Sequence, residues 1–592
     1  MAKIGDYTIA DLYQGGHSSF KSNYIGGISA GSLGLTTDPR VGNILQEVST
    51  KLSTGVKDIE IELVSPDMLD QIPKQQFEEV KRQAKLVGAE TSVHGPVIDT
   101  TGINQQGFSE LNREASERKI IETIRRSHEL NPKGNVPVNF HSAEGIQGTE
   151  WEKIPDQAKG IEGQAKRLIV VNRESGKMAP LEKDERYRAG EDLSKPRIMV
   201  PEKRLQELNV TEWDNSISQI LFNKERADEI LQKNAPMINT IINNKGQLRF
   251  DEETIKKSPT TWQAIKHVEN ASAYIEDTYQ QLTTLFNKAY KYGDNNQREE
   301  LKNLSERFTK VMKENGGDIM KMSDSMQVLI SGLKKQEIAP QMYVPVEQFA
   351  TQQSAKTFGN AAFEGWKEFK DNTPLVNIEN PPVGFALSTG EDLKNLVKAS
   401  RKHFVEKAVE SGKLSTKEAE KQAEKIIGAT WDVGHINMLR KQGFDDKDII
   451  KETEKIAPYV KHVHLSDNFG LEHTELPMGM GNVPIKEIMD KLGKKGFEAK
   501  KIIEAAHWWQ HFKTPPVQAT LEAMGSPIYT DGVGPYWSQT TGLYQGYFGG
   551  YGMMLPQTHY QTFGSGFSQL PQELGGQAQG AQGNRMSGRG ME

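Results

Sequence analysis

The chain has 592 residues, 36% of them hydrophobic and 26% charged, the make-up of a folded protein too long for one ordinary domain. Its formal charge of −6 supplies no whole-molecule basic field for nucleic acid, and the lack of cysteine removes disulfides, thiolate nucleophiles and Cys-held zinc. A bound metal would therefore depend on His, Asp and Glu. The stretch Met1 to Gly16 is polar, and no run approaches the roughly 20 apolar residues of a bilayer span, so the expectation is a cytoplasmic protein that does not enter membranes.

From about Ile28 short β-rich runs alternate with helical ones. Strands are predicted at Gly27 to Gly34, Asp58 to Val64, Glu90 to Ile98 and Val136 to His141, with helices at Gln75 to Leu86 and Glu110 to Leu130. The rhythm then stops and resumes at Pro374 with a strand in PLVNIENPP. A helical stretch from Glu391 to Ile427, a strand at Ala429 to His435 and a helix at Asp446 to Ile456 follow. A strand at Val460 to Asn468, a helix at Ile485 to Leu492 and a strand at Lys501 to Ala505 complete the series. Eight strands separated mostly by helices predict an α/β fold, a (β/α)8 TIM barrel with right-handed crossovers.

On this reading residues 1–147 and 373–512 are the two halves of the barrel, and 148–372 are a polar, mainly helical insertion after the fourth strand. Within it Trp213 to Asn234 and Trp262 to Tyr290 read as helices, and Leu168 to Arg188 as a hairpin turning at Arg173-Glu174-Ser175-Gly176. A lid, a dimerisation arm and an added subdomain without a catalytic part all suit such an insertion. Residues 513–592 are a Gly/Gln/Tyr-rich tail, expected to be disordered.

From the third strand on, every strand ends in a candidate ligand. In order these are His94, His141, Glu379, Asp432 with His435, His464, and Glu504; His473 and Glu475 lie in the loop after the seventh strand. A barrel gathers its strand ends at one mouth. Several carboxylates in one cleft repel unless a cation joins them, so this pattern points to a divalent metal. His462 shares a strand face with His464 and is expected to be a core residue or a support behind the ligands; Asp467 is a candidate support or ligand.

The runs WDVGHINMLRKQGFD, HVHLSDN, LPMGMGNVPI and IIEA resemble the xylose-isomerase-like TIM-barrel superfamily. In metal ligands the chain most resembles its endonuclease IV branch, the class II apurinic endonucleases. That resemblance implies a two- or three-zinc centre on His94, His141, Glu379, Asp432, His435, His464, His473, Glu475 and Glu504, and a phosphodiester hydrolase acting on DNA, for instance at abasic sites. It departs from that branch at Val97, where an aromatic is expected, and at His473 and Glu475, where the carboxylate would come first. The sugar isomerase and epimerase branch resembles the chain at Glu379, Asp432, His464 and Glu504. It implies one Mn2+, Mg2+ or Co2+, a sugar or sugar-phosphate substrate, and Glu379 and Glu504 as the proton-transfer pair. A degenerate barrel serving as a binding or scaffold protein is the third reading, and the oligomeric state is left open.

Overall fold

A computed structural model of the chain describes residues 32–524, apart from 39–42, 64–70, 154–164, 242–258, 316–318, 336–338 and a few shorter gaps. The expected tail therefore lies almost wholly outside the described residues, as does the start of the expected first strand.

Eight parallel strands close into a barrel: β1 (Leu33–Thr36), β2 (Asp58–Glu62), β3 (Glu90–His94), β4 (Pro137–His141), β5 (Leu375–Glu379), β6 (Ile427–Asp432), β7 (Val460–Leu465) and β8 (Lys500–Ile503). Each pairs with its neighbours in sequence, and β8 pairs with β1 to shut the ring. The first strand lies later than expected, at Leu33–Thr36. The third stops at His94 rather than running to Ile98, because Gly95-Pro96 follows and proline has no amide for the ladder.

Two other boundaries bear on the site. The stretch from Glu391 to Ile427 is two helices, α5 (Gly390–Glu410) and α6 (Thr416–Ile426), parted by Gly412 at φ +65. β6 ends at Asp432, not at His435. The Asp432 side chain accepts the His435 amide at 2.8 Å and so starts a short helix, Val433–Asn437, that carries His435. The remaining barrel helices are α1 (Ile44–Leu52), α2 (Lys74–Val87), α3 (Glu110–His128), α4 (Val346–Phe369), α7 (Asp446–Ile456) and α8 (Ile485–Glu498). α4 lies within the 148–372 stretch of sequence but belongs to the barrel unit.

Most strands are apolar outside and polar inside, β8 being the exception with Ile502 inward and Lys501 outward. Ile59, Ile61, Val93, Val138, Phe140, Val376, Ile378, Trp431, Val463 and Leu465 are buried on the outward side, as the period of two requires. Trp431, for example, donates from its indole to Thr453 on α7 at 3.2 Å. The alternate positions, Glu60, Ser92, Asn139, Asn377, Thr430 and His462, are buried inside.

The second compact unit comprises Val170–Glu174 and Ala179–Val344. The hairpin expected near Arg173 is present, with Ala165–Asn172 paired to Met178–Glu182. Four helices, Pro201–Ile241, Pro259–Tyr292, Asn295–Asn315 and Ile319–Leu333, enclose an apolar core that includes Trp213, Ile217, Ile275, Leu282, Leu304 and Ile330.

Candidate metal centre

Glu379 ends β5, fully buried, at the middle of the ring. Its two oxygens face different partners. Oε1 is 2.8 Å from His464 Nδ1, and His464 Nδ1 is 3.0 Å from Glu504 Oε1. Oε2 faces His94 Nε2 at 3.4 Å and His141 Nε2 at 3.9 Å, and although buried it has no hydrogen-bond partner. His94 turns Nδ1 to the Gly95 carbonyl at 3.0 Å, which places a proton on Nδ1 and turns Nε2 toward Glu379.

A second cluster joins Glu379, Asp432 and His435. His435 Nε2 is 3.8 Å from Asp432 Oδ2 and 2.8 Å from His473 Nε2. Its Nδ1 donates to the Asn380 carbonyl at 2.7 Å, so Nε2 has the lone pair. Asn380 also bonds the backbone of Asp432 in both directions, at 2.9 and 3.0 Å, tying β5 to β6 directly beside the site. Gly434 is required here, since a Cβ would lie 2.2 Å from Ser466 Oγ, a hydroxyl that donates to Asp432.

Eight of the nine sequence-predicted residues thus form one continuous chain of short contacts. Glu475 stands apart: it is half-buried and enters none of the clusters of possible ligand atoms among the described residues. Asp467 also enters none of those clusters. Its carboxylate accepts the amides of Asn468, Gly479 and Val483 at 2.9, 2.8 and 3.0 Å, because the 479–483 loop folds its backbone onto it. That loop passes so close that a Cβ on Gly481 would lie 2.4 Å from Asp467 Oδ1. His462 is fully buried below the ligands, its Nε2 3.1 Å from Glu60 Oε2.

Two acids at the site were missed by the sequence reading, Glu60 and Glu62 on β2. Glu60 is fully buried and 2.9 Å from His464 Nε2; Glu62 is 3.9 Å from His94. The signal was present in Asp58-Ile59-Glu60-Ile61-Glu62, a strict alternation that puts both glutamates on one face.

These groups hold more negative charge than their imidazoles balance. Burial raises the pKa of Glu504 well above the carboxylate range despite His464, aided by Glu379 and Asp432. Burial likewise pushes Glu62 up to about 7. Burial works against charge on His464 and His94 too, but the surrounding carboxylates prevail and raise both well above the usual imidazole value. Burial takes His435 the other way, down to about 4. Surplus buried acid, an orphaned carboxylate oxygen and the imidazole nitrogens turned toward it together fit a divalent cation.

The closed parallel barrel with His and carboxylate side chains at its C-terminal rim defines a TIM barrel with a candidate metal site. Residues 389–525 match the family described as xylose isomerase-like TIM barrel. The chain folds as a TIM barrel, and over those residues it is similar to the xylose isomerase-like family. An uncharacterized protein of Methanocaldococcus jannaschii is 30% identical over 80 residues, 14% of this chain and 26% of that protein, so the match spans about a quarter of the relative's length. Two solved structures are also similar. A D-tagatose 3-epimerase-like protein matches at 12% identity and TM-score 0.32, over 83% of this chain and 98% of that one. D-psicose 3-epimerase of Clostridium cellulolyticum H10, solved with D-tagatose, matches at 9% identity and TM-score 0.36, over 84% and 98%. Among the described residues no helix is long and apolar enough to cross a membrane.

Proposed function

We propose that this chain is a metal-dependent hydrolase of phosphate esters, resembling endonuclease IV, with two or three Zn2+ at the barrel mouth. The observation that carries the reading is Glu379, whose two oxygens face two separate sets of nitrogen and oxygen atoms, His464 with Glu504 on one side and His94 with His141 on the other. One carboxylate shared between two sites is what a multinuclear centre needs, and His141 has no part in a single-ion site built on Glu379, Asp432, His464 and Glu504.

On this reading Glu379 would be shared between sites, His94 and His141 would hold one ion, Asp432, His464 and Glu504 a second, and His435 with His473 a third, to which Glu475 would have to swing in from outside the clusters. Divalent ions there would supply Lewis acidity toward a phosphate ester and make water a usable nucleophile near neutral pH. The residues set the geometry. The Gly95 and Asn380 carbonyls fix the tautomers of His94 and His435, and the Asp432 carboxylate is anchored by the His435 amide and Ser466. DNA is the proposed partner, with a smaller phosphorylated molecule as the other substrate class.

The second reading is a sugar isomerase or epimerase with one Mn2+, Mg2+ or Co2+. It is favoured by the fact that ligand atoms of His94, Glu379, His464 and Glu504 all lie within 4.8 Å of one another, close enough to share one ion. Glu379 and Glu504 would then move the substrate proton.

Elemental analysis of the purified chain, followed by incubation with abasic-site DNA and with a panel of ketoses, separates the two. Two or three zinc per chain and strand nicking that disappears in Glu379→Gln are expected. Nicking that survives Glu379→Gln would sink the assignment, and one manganese with ketose epimerisation would establish the second reading. A chain that takes up no metal under any loading would be a scaffold.

A further inference from the structure

We propose that Glu60, inside the barrel beneath the rim, is the positioning carboxylate that decides which nitrogen of His464 is offered to a metal ion; this rests on the metal-centre reading above. The rim residues alone do not explain why His464 is held as it is. Its ring is fully buried, with Nδ1 turned to Glu379 and Glu504 and Nε2 turned down to Glu60 Oε1 at 2.9 Å.

Glu60 is itself held in place by three other strands. Its Oε2 accepts from Ser92 Oγ on β3 and Asn139 Nδ2 on β4, both at 2.7 Å, and lies 3.1 Å from His462 Nε2 on β7. Asn139 cannot turn its amide round, because its Oδ1 accepts from Thr430 on β6 at 2.8 Å and from Asn377 on β5 at 3.2 Å. The amide therefore gives its N–H to Glu60 and leaves Oε1 for His464. Asn139 Nδ2 also stands 3.3 Å from His464 Nε2, and Glu60 Oε1 itself makes no hydrogen bond of good geometry, so Glu60 acts on His464 as a charge in ion-pair contact at 2.9 Å.

The chemical consequence follows from the pairing. An imidazole whose Nε2 proton faces a carboxylate keeps its Nδ1 lone pair free, is fixed in orientation, and is the more basic ligand for it. Glu60 cannot serve solvent or substrate, being fully buried. A TIM barrel usually fills this layer with branched aliphatic side chains. Here it holds Glu60, Ser92, Asn139, Asn377, Thr430 and His462, an arrangement costly to bury unless it has work to do above it.

The full chain, stripped with a chelator, is titrated with Zn2+ by calorimetry and with Co2+ by visible absorption, which reports ligand geometry. For Glu60→Gln we expect the same number of ions as wild type, an affinity roughly 10- to 100-fold weaker, and shifted Co2+ bands. Ser92→Ala, which removes one donor and leaves the charge, should shift both readouts in the same direction by less. If Glu60→Gln fails to fold by circular dichroism, Ser92→Ala decides the matter. Wild-type affinity and an unchanged Co2+ spectrum in the folded variant would overturn the role of Glu60 while leaving the metal centre intact. Loss of a whole ion in Glu60→Gln would also overturn it, since Glu60 would then be a ligand. A wild-type chain that binds no metal would overturn both readings together.

Discussion

The barrel interior and the core of the helical unit bury their side chains on opposite terms. In the helical unit, Trp213, Ile217, Ile275, Leu282, Leu304 and Ile330 are almost fully buried, and burial itself stabilises the unit. In the barrel interior, Glu60, Glu379, Asp432, His462 and His464 are buried just as completely, and each charged group removed from water is costly. The barrel tolerates this because its stabilising layer lies elsewhere, between the outward faces of the strands and the surrounding helices. The interior is thereby left to chemistry. What differs between the two regions is not the degree of burial but what burial is for.

The sharpest way to break that comparison is Glu379→Gln. If the buried acids serve a metal, this change should reduce metal uptake from two or three ions per chain to one or none by elemental analysis, with the fold kept by circular dichroism; unchanged uptake would make the acid cluster a structural one. In the helical unit the expectation is reversed. Leu282, 1% exposed, should cost about 2–5 kcal/mol when truncated to Ala, read by denaturant unfolding of that unit, with metal uptake unchanged. A milder test is His141→Ala, whose Nε2 is 3.9 Å from Glu379 Oε2. It should lower the number of bound ions by one on the multinuclear reading and leave a single-ion epimerase centre filled.

The smallest effect concerns an acid away from the rim. Asp392, in the capping box of α5 with Thr389, is pushed up to about 7 by burial and by the nearby Glu347 and Glu452. Its folded-state pKa lies above the unfolded value of about 4. Its stabilising contribution is therefore full below about pH 4 and lost as pH rises through about 7. Asp392→Asn should flatten the fall in melting temperature across that window, and an unchanged slope would remove this acid from the account.

Much of the site was legible before any coordinates. His94, His141, Glu379, Asp432 and His464 each sit at the end of a short β-rich run, and a parallel barrel brings such ends together. Local chemistry then adjusted the detail, as where the Asp432 carboxylate starts a helix and lifts His435 off its strand. Asp467 read as a candidate support or ligand, and its carboxylate accepts amides of the loop that follows.

Sequence periodicity by itself determined that β2 has one polar and one apolar face and that the chain alternates strand with helix. It did not say which face was inside. Asp58-Ile59-Glu60-Ile61-Glu62 reads equally well as a strand with a solvated acidic side, and only closure of the barrel turned Glu60 inward and left Ile59 and Ile61 to the helices. The reason is physical: a period of two fixes the separation of the faces, whereas the environment of each face is set by residues hundreds of positions away. Glu60 meets His464 across barrel strands that the sequence keeps about four hundred residues apart, and no local pattern records that meeting.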